Sequence, residues 1–501
     1  MSARVQSVAV VGRDAPAWIA AVALHRALAR TGLRVQVVEL PSRQSPVDVY
    51  AAVPSIVSMH QLLGLNERLV IEACRAVPMV GQRFSNWAKG APPFVLGYDD
   101  EPPPGGDLPF SQYWVKGALA GLRVGFEDFS LGSACARAGR VPVALGEPAP
   151  LSASYGYHID AAAYSELLKQ FALKLGIERV ASGTVDVEVE GGQIAAVVLD
   201  DGSRLEADLY VDASGREGRL IGKMTGAEFE SWSGSLPCDR LLAASGPRLP
   251  ALPAFSQVSA FHAGWVALFP LQHRTPLVAA YSSEAVDDHE VAELAALVAR
   301  MPIAGDVVVS DLRPGIQKHP WIGNCVAIGD AAIAADPIDA LELHVAHGCI
   351  AHLITLFPTT AGEFPEADPF NRSITTFGSN LRDFQAAHYK LNRRFDERFW
   401  DRARDAAAVP GLARRLDVFE ARAAIPLNDE ESFQEQTWAA LFLGCGLMPK
   451  DYDPRIDSMD DGMHIAKVQQ RLRAVADMAR AMPPIEQFLA AEQFNPAEGV
   501  G

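Results

Sequence analysis

Gly12, Asp14, Ala17 and Glu39 fall at the spacing of a nucleotide-binding turn. An apolar strand through Val8 to Gly12 runs into a turn and then an apolar helix, Ala20 to Leu28. A second strand, Arg34 to Leu40, carries Glu39 near its end. In such a β-α-β unit glycines let backbone approach a pyrophosphate, and an acid about 20 residues on accepts hydrogen bonds from a ribose. Here the fingerprint reads G-x-D-x-x-A, with Asp14 and Ala17 where the second and third glycines belong. A carboxylate at Asp14 repels a phosphate, and Arg13, next to Gly12, is a cation that can offset it. A later apolar strand ends in Gly329-Asp330-Ala331-Ala332, where the glycine permits close approach and the aspartate can accept from ribose or ribityl hydroxyls. A third strand ends in Asp212-Ala213-Ser214-Gly215.

The elements that must position these residues follow from periodicity and turn chemistry. A helix is expected near Val53 to Leu63 and another over Asp160 to Leu175, where Leu167, Leu168, Phe171 and Leu175 recur at helical spacing. The proline- and glycine-rich run from Ala91 to Pro109 reads as an exposed, irregular excursion. Val185 to Glu190, a Gly191-Gly192 turn, Ile194 to Leu199, an Asp201-Gly202 turn and Leu205 to Val211 read as successive strands. A second β region is expected from Phe255 to Ser282, with Trp265, Phe269 and Tyr281 in the core. Beyond residue 285 the pattern is mainly helical, apart from strands near Val307 and Val326.

Bulk properties narrow the class. With 501 residues and 49% apolar content, the chain can bury a large core. A net charge of −17 argues against nucleic acid or an anionic membrane as the main partner. Six scattered cysteines without a C-x-x-C pair fit reduced thiols in the cytoplasm. No apolar stretch approaches the roughly 20 residues of a membrane span.

The three glycine- and aspartate-bearing strand ends, in this order, resemble the FAD fold of flavin monooxygenases. More specifically, the chain resembles the flavin-dependent tryptophan halogenase family nearly end to end. The matching stretches include Leu63-Gly64-Leu65, Phe84-Ser85-Asn86-Trp87, Tyr113-Trp114, Tyr157-His158-Ile159-Asp160, Gly264-Trp265, Phe269-Pro270, Trp321 to Asn324, Asp336-Pro337, Arg382-Asp383-Phe384, Ala387-His388-Tyr389, Phe399-Trp400 and Leu443 to Gly446. The resemblance implies FAD, delivered reduced by a partner flavin reductase, and an aromatic or electron-rich small-molecule substrate. In that family reduced flavin and oxygen generate hypohalous acid, and a lysine across a tunnel delivers the halogen.

Several family positions are changed. The lysine, eight residues before Trp87, is Met79, whose thioether neither takes a proton nor forms a haloamine and is open to oxidation. The family's D/E-P-L-E-S-T-G run is Asp336-Pro337-Ile338-Asp339-Ala340-Leu341-Glu342. Asp339 keeps a carboxylate, one methylene shorter, for general-base work. Leu341 and Glu342 replace the threonine-glycine pair whose amides hold halide, and a carboxylate beside chloride costs on the order of 1 kcal/mol. The tunnel motif G-W-x-W-x-I-P becomes Gly264-Trp265-Val266-Ala267-Leu268-Phe269-Pro270, and the G-E-A-T strap becomes Tyr50-Ala51-Ala52-Val53.

Plainer roles compete with these. Gly12 could be a tight turn, Glu39 a solvated acid, and Asp339 an acid at the N-terminus of a helix over Leu341 to Leu356. His344, His347 and His352 on that helix read as satisfied core histidines rather than metal ligands. Arg393, Arg394, Asp396, Glu397 and Arg398 read as a solvated helical face. The expectation is therefore an α/β chain, an FAD-binding Rossmann-like monooxygenase fold over residues 1–395 with an added β-sheet layer, followed by a helical region over 396–501. Its cofactor residues are Gly12, Arg13, Ala17, Glu39, Gly329, Asp330, Asp336 and Pro337, with Asp339 as base and Met79 in the lysine position. Lysine-dependent halogenation is expected to be weak or lost, with a non-catalytic binding scaffold as the alternative. No metal is called for, and a homodimer is compatible with the sequence.

Overall fold

The computed structural model describes residues 4–100, 108–143 and 151–491. Its centre is a six-stranded sheet in the order Trp321–Ile322, Cys325–Ala327, Leu209–Ala213, Ser7–Gly12, Arg34–Glu39 and Glu178–Ala181. Only the Trp321–Ile322 pairing is antiparallel. Parallel strands are covered on both faces, so they read as unbroken apolar runs. Val8 to Val11 are fully buried, and the Asp14–Leu28 helix packs over them with nine buried side chains. The first strand lies between Leu209–Ala213 and Arg34–Glu39, so the three functional strand ends open on one side of the sheet.

A seven-stranded layer runs Val308–Asp311, Arg240–Pro247, Arg274–Tyr281, Gly264–Leu268, Ser256–Phe261, Gly81–Ser85, Phe94–Gly97. Trp265, Phe269 and Tyr281 are buried there, as their size and strand setting predict. A three-stranded sheet joins Val49–Ala52, Gly156–Asp160 and Val77–Met79, which brings Met79 beside Gly156. Trp400, Phe419 and Trp438 belong to the same buried core as the first strand.

Three local expectations are corrected. Within the proline-rich run, Phe94–Gly97 is a mostly buried strand paired with Gly81–Ser85; Pro102, Pro103, Pro104, Gly105 and Gly106 lie outside the described residues. Leu205 to Val211 is two strands: Arg204–Leu205 completes a hairpin sheet, whereas Leu209–Ala213 crosses into the parallel sheet. Asp208 makes the break by accepting from the Gln6 and Ser7 amides at 2.8 and 2.9 Å. Residues 393–397 are not helical, and Arg394 is not a solvated charge. It grips Glu397 at 2.6 Å and donates to the Asn86 carbonyl at 2.8 Å.

Candidate active site and nucleotide cleft

At the strand ends the sequence builds a cleft. Gly12 is required because a Cβ there would run into the Ala213 carbonyl of the neighbouring strand. Asp14 starts the first helix with φ of 57°, the left-handed conformation a second glycine would supply and aspartate tolerates. Burial pushes its carboxyl up, against hydrogen bonds from Ser42 and Arg43. Ala17 is buried against the sheet. A cavity of 220 Å³ opens here, lined by Arg13, Asp14, Arg43, Glu217, Asp330 and Glu342 among others. Gly215, at φ of 83°, has nothing near where a Cβ would lie, so its backbone faces open space.

The predicted cofactor residues divide among partners already made. Asp330 pairs with Arg216 at 3.2 Å and Arg13 lies 3.7 Å from Glu217. Glu39 is held by Lys169 at 2.8 Å and by Arg179, so two cations already neutralise it at its strand end. Gly329 adopts φ of 55°, and a Cβ there would meet Ala346 and Pro16 only at ordinary contact distance, so its left-handed backbone rather than crowding favours glycine. Asp212 is a loop organiser, since its two oxygens take the amides of Ser214, Leu220 and Ile221 at 2.8–3.0 Å. Glu342 reaches solvent through the cavity, yet enclosure by protein and the Asp330 charge push its carboxyl up to about 8.

Beyond that cleft the Asp336–Asp339 turn is held by one face of the Ala367–Lys390 helix. Gln385, His388 and Tyr389, at i, i+3 and i+4, share that face. The Gln385 amide donates to the Asp336 carbonyl at 2.6 Å and accepts from the Asp336 amide at 3.2 Å. The Tyr389 hydroxyl donates to Asp336 Oδ2 at 2.8 Å while accepting from the Trp265 indole at 2.8 Å. Burial raises the Asp336 carboxyl to about 6, with Tyr389 and the Ile338 amide opposing. His388 Nε2 lies 2.9 Å from Asp339 Oδ1, with both side chains essentially inaccessible. Asp339 Oδ2 and His388 Nδ1 are buried without a hydrogen-bond partner among the described residues. Nε2 carries a proton when it faces a carboxylate. The imidazole stacks on Phe84, centroid to centroid 4.6 Å, and Trp87 donates to the His388 carbonyl at 2.8 Å.

Asp339 therefore does not cap the following helix. That helix starts at Glu342, after Ala340 has taken a left-handed φ of 60°, and its first amides receive no side-chain cap. On the helix His344 bridges Ser55 and Ser432 at 2.8 and 2.9 Å. His347 departs from the expected satisfied histidine: both ring nitrogens are buried without a partner among the described residues. Burial holds it neutral. No group of three metal-ligating side chains occurs among the described residues.

Met79 is fully buried. Ser256 Oγ is 2.7 Å from its sulfur and 2.8 Å from His158 Nε2, and the Tyr98 hydroxyl is 3.9 Å from the sulfur. The His158 Nδ1–H faces the Pro270 carbonyl at 3.2 Å, so the Ser256 proton goes to Nε2 rather than to the sulfur, which keeps the long Tyr98 hydroxyl contact. Burial and the Asp339 charge both raise the Tyr98 phenol, which links Met79 and Asp339 through one side chain.

A model of the tryptophan halogenase family matches residues 7–461. The chain belongs to that family. It is 25% identical to tryptophan 7-halogenase RebH of Lentzea aerocolonigenes, over 98% of this chain and 99% of the relative. Among solved structures it resembles BrvH, a flavin-dependent halogenase from Brevundimonas sp. BAL3, at 30% identity and TM-score 0.89, covering 97% and 99% of the two chains. It also resembles Xcc4156, a flavin-dependent halogenase from Xanthomonas campestris, at 28% identity and TM-score 0.91, covering 97% and 98%. The α/β architecture with a parallel sheet and helical C-terminal part is that of these halogenases. No described helix is long and apolar enough to cross a membrane.

His388 and Tyr389 were visible in sequence only as a matched dipeptide. Their signal was three polar residues at i, i+3 and i+4 on a face otherwise packed with Phe377, Leu381 and Phe384. Tyr98 and Ser256 carried no signal at all, because each acquires its partner from a distant segment, and Glu217 takes two of its three arginines from distant segments.

Proposed function

We propose that the chain is an FAD-dependent oxidoreductase acting on an aromatic or electron-rich small molecule, with Asp339 as its general base and without amine-mediated halogen transfer. The observation that carries this reading is the Asp339–His388 pair: one carboxylate oxygen fixed at 2.9 Å and the other buried with no donor among the described residues.

The fit to a flavin nucleotide rests on the open backbone at Gly215, the glycine-demanding strand crossing at Gly12 and the cavity at the strand ends. Gly12, Arg13 and Ala17 would flank its phosphates, Glu39 its ribose, Gly329 and Asp330 its polyol, and Asp336-Pro337 its ring end. When bound and reduced by a partner reductase, flavin supplies electrons to oxygen. Gln385 and Tyr389 lock the turn so that Asp339 cannot swing away. His388 donates to Oδ1, which leaves Oδ2 as the oxygen free to take a proton. The buried aromatic rings of Phe84, Trp87 and Phe384 around His388 exclude water. Met79, with no acidic proton, leaves oxygenation or oxidation as the outcome.

A second reading, a binding scaffold without turnover, draws on the carboxylates of Asp14 and Glu342 in the cleft. Flavin absorbance of the purified protein, with and without added FAD, separates the two. Saturable FAD binding is expected, and none at high FAD would end the flavin reading. Incubation with a reductase, oxygen, halide and an indole panel is expected to give no halogenated product at enzymatic rates. Such a product would overturn the role assigned to Met79.

A further inference from the structure

The turn after the third strand carries Arg216, Glu217 and Arg219 between glycines, and it faces the first turn of the nucleotide cleft. There a single carboxylate collects three guanidinium groups. Arg13 approaches Glu217 at 3.7 Å from the first strand's end, Arg43 reaches it from the loop after the second strand, and Arg219 from its own turn. A carboxylate has two oxygens, and one bidentate arginine already matches its geometry. Three arginines on it leave surplus donors and a local charge of roughly +2. The surplus is visible at Arg13, whose Nε is sealed from solvent with no acceptor among the described residues. Burial lowers the Arg13 pKa; Arg43 and Arg219 push the same way while Glu217 and Asp14 oppose. The acid nearest this end is Asp14, which accepts from the Arg43 amide at 3.4 Å. The remaining charges of the cavity, the Arg216–Asp330 pair and Glu342, complete the ring.

We infer that Arg13, Arg43 and Arg219 form a binding site for the diphosphate of a nucleotide, and that Glu217 fills this site as an internal counter-anion which the diphosphate must displace. A diphosphate brings more charge and more acceptor oxygens to the same three forks than one carboxylate does. Glu217 is built to leave: Gly215 and Gly218 flank it at φ of 83° and 51°, and its side chain is 22% exposed. The inference rests on the nucleotide reading of the cleft, though not on which ring the nucleotide carries.

The test is titration of the full-length protein by calorimetry with inorganic pyrophosphate, ADP, FAD and, as a phosphate-free control, riboflavin. Glu217→Gln, isosteric but uncharged, is expected to bind pyrophosphate, ADP and FAD about tenfold tighter, with riboflavin unchanged. Arg43→Gln, at a side chain 63% exposed and clear of the core, is expected to weaken the three phosphate ligands about tenfold. It also keeps the inference testable should Glu217→Gln fail to fold. Unchanged or weaker pyrophosphate and ADP binding in a folded Glu217→Gln variant overturns the inference, as does an Arg43→Gln variant that binds like the parent. If FAD binds well but neither variant alters it, the site fails and the flavin reading stands. If FAD never binds while pyrophosphate still tightens in Glu217→Gln, the flavin reading fails and the site stands.

Discussion

Replacing Tyr389 by phenylalanine removes one oxygen from the network that holds the Asp336–Asp339 turn. That hydroxyl accepts from the Trp265 indole and donates to Asp336 Oδ2, both at 2.8 Å, and all three side chains are at most 1% exposed. An orphaned buried indole N–H costs about 1–3 kcal/mol at any pH. Losing the donor to Asp336 costs about 1 kcal/mol while the acid is neutral and about 1.5–3 kcal/mol once it is ionised. Asp336 titrates at about 6 instead of 3.8. Its raised pKa means the folded state holds the proton more tightly, so the protein loses about 3 kcal/mol from this group as pH rises from 4 through 6. Without Tyr389, whose bond favours the ionised form, the pKa climbs further and the loss extends to higher pH. Tyr389→Phe is therefore expected to cost about 2–4 kcal/mol at pH 5 and about 2.5–6 kcal/mol at pH 8. Chemical denaturation of parent and variant at both pH values reads this out. Equal destabilisation at the two pH values would refute the buried-carboxylate account.

Three other outcomes are expected. Asp14→Gly with Ala17→Gly strengthens FAD affinity in a fluorescence titration, because it removes a carboxylate held at φ of 57° in the cleft; unchanged affinity means the turn does not face a phosphate. Arg415→Met removes the cation paired with the Asp383 and Glu431 carboxylates at 3.0 and 2.6 Å, leaving Asp383 with Arg382 alone at 3.1 Å and Glu431 with no ion pair among the described residues. It should cost about 3–5 kcal/mol at pH 8, and less at pH 5 because burial raises both carboxyls and acid neutralises them, as thermal melts at the two pH values would register. FAD affinity should fall as pH rises through about 8, where Glu342 ionises beside Asp330, and Glu342→Gln should flatten that profile; an identical profile in the variant would remove Glu342 from the cofactor's surroundings.

Local chemistry made much of the fold legible. The first β-α-β unit, the Gly191-Gly192 hairpin and the long α/β order follow from apolar runs and turn residues, and they stand where those signals put them. The failures share a cause. Phe94–Gly97 sits in a proline-rich run yet forms a strand because Gly81–Ser85 offers it a paired edge. Arg394 looks like a surface charge, but carbonyls from residues 86 and 260 come to meet it.

By itself the sequence determined the frame of the site: which strands end in glycine and aspartate, that a carboxylate stands at Asp339, and that a thioether stands at Met79. These are properties of residue type and neighbour order, which no folding step alters. Only the tertiary structure decided the pairings, namely Asp339 with His388 49 residues away, Asp336 with Tyr389 53 residues away and Glu217 among three arginines from three segments. Apart from Arg219, which shares the turn of Glu217, these partners are too distant along the chain to share a local signal, and they meet because the parallel sheet and the Ala367–Lys390 helix bring their segments to one place.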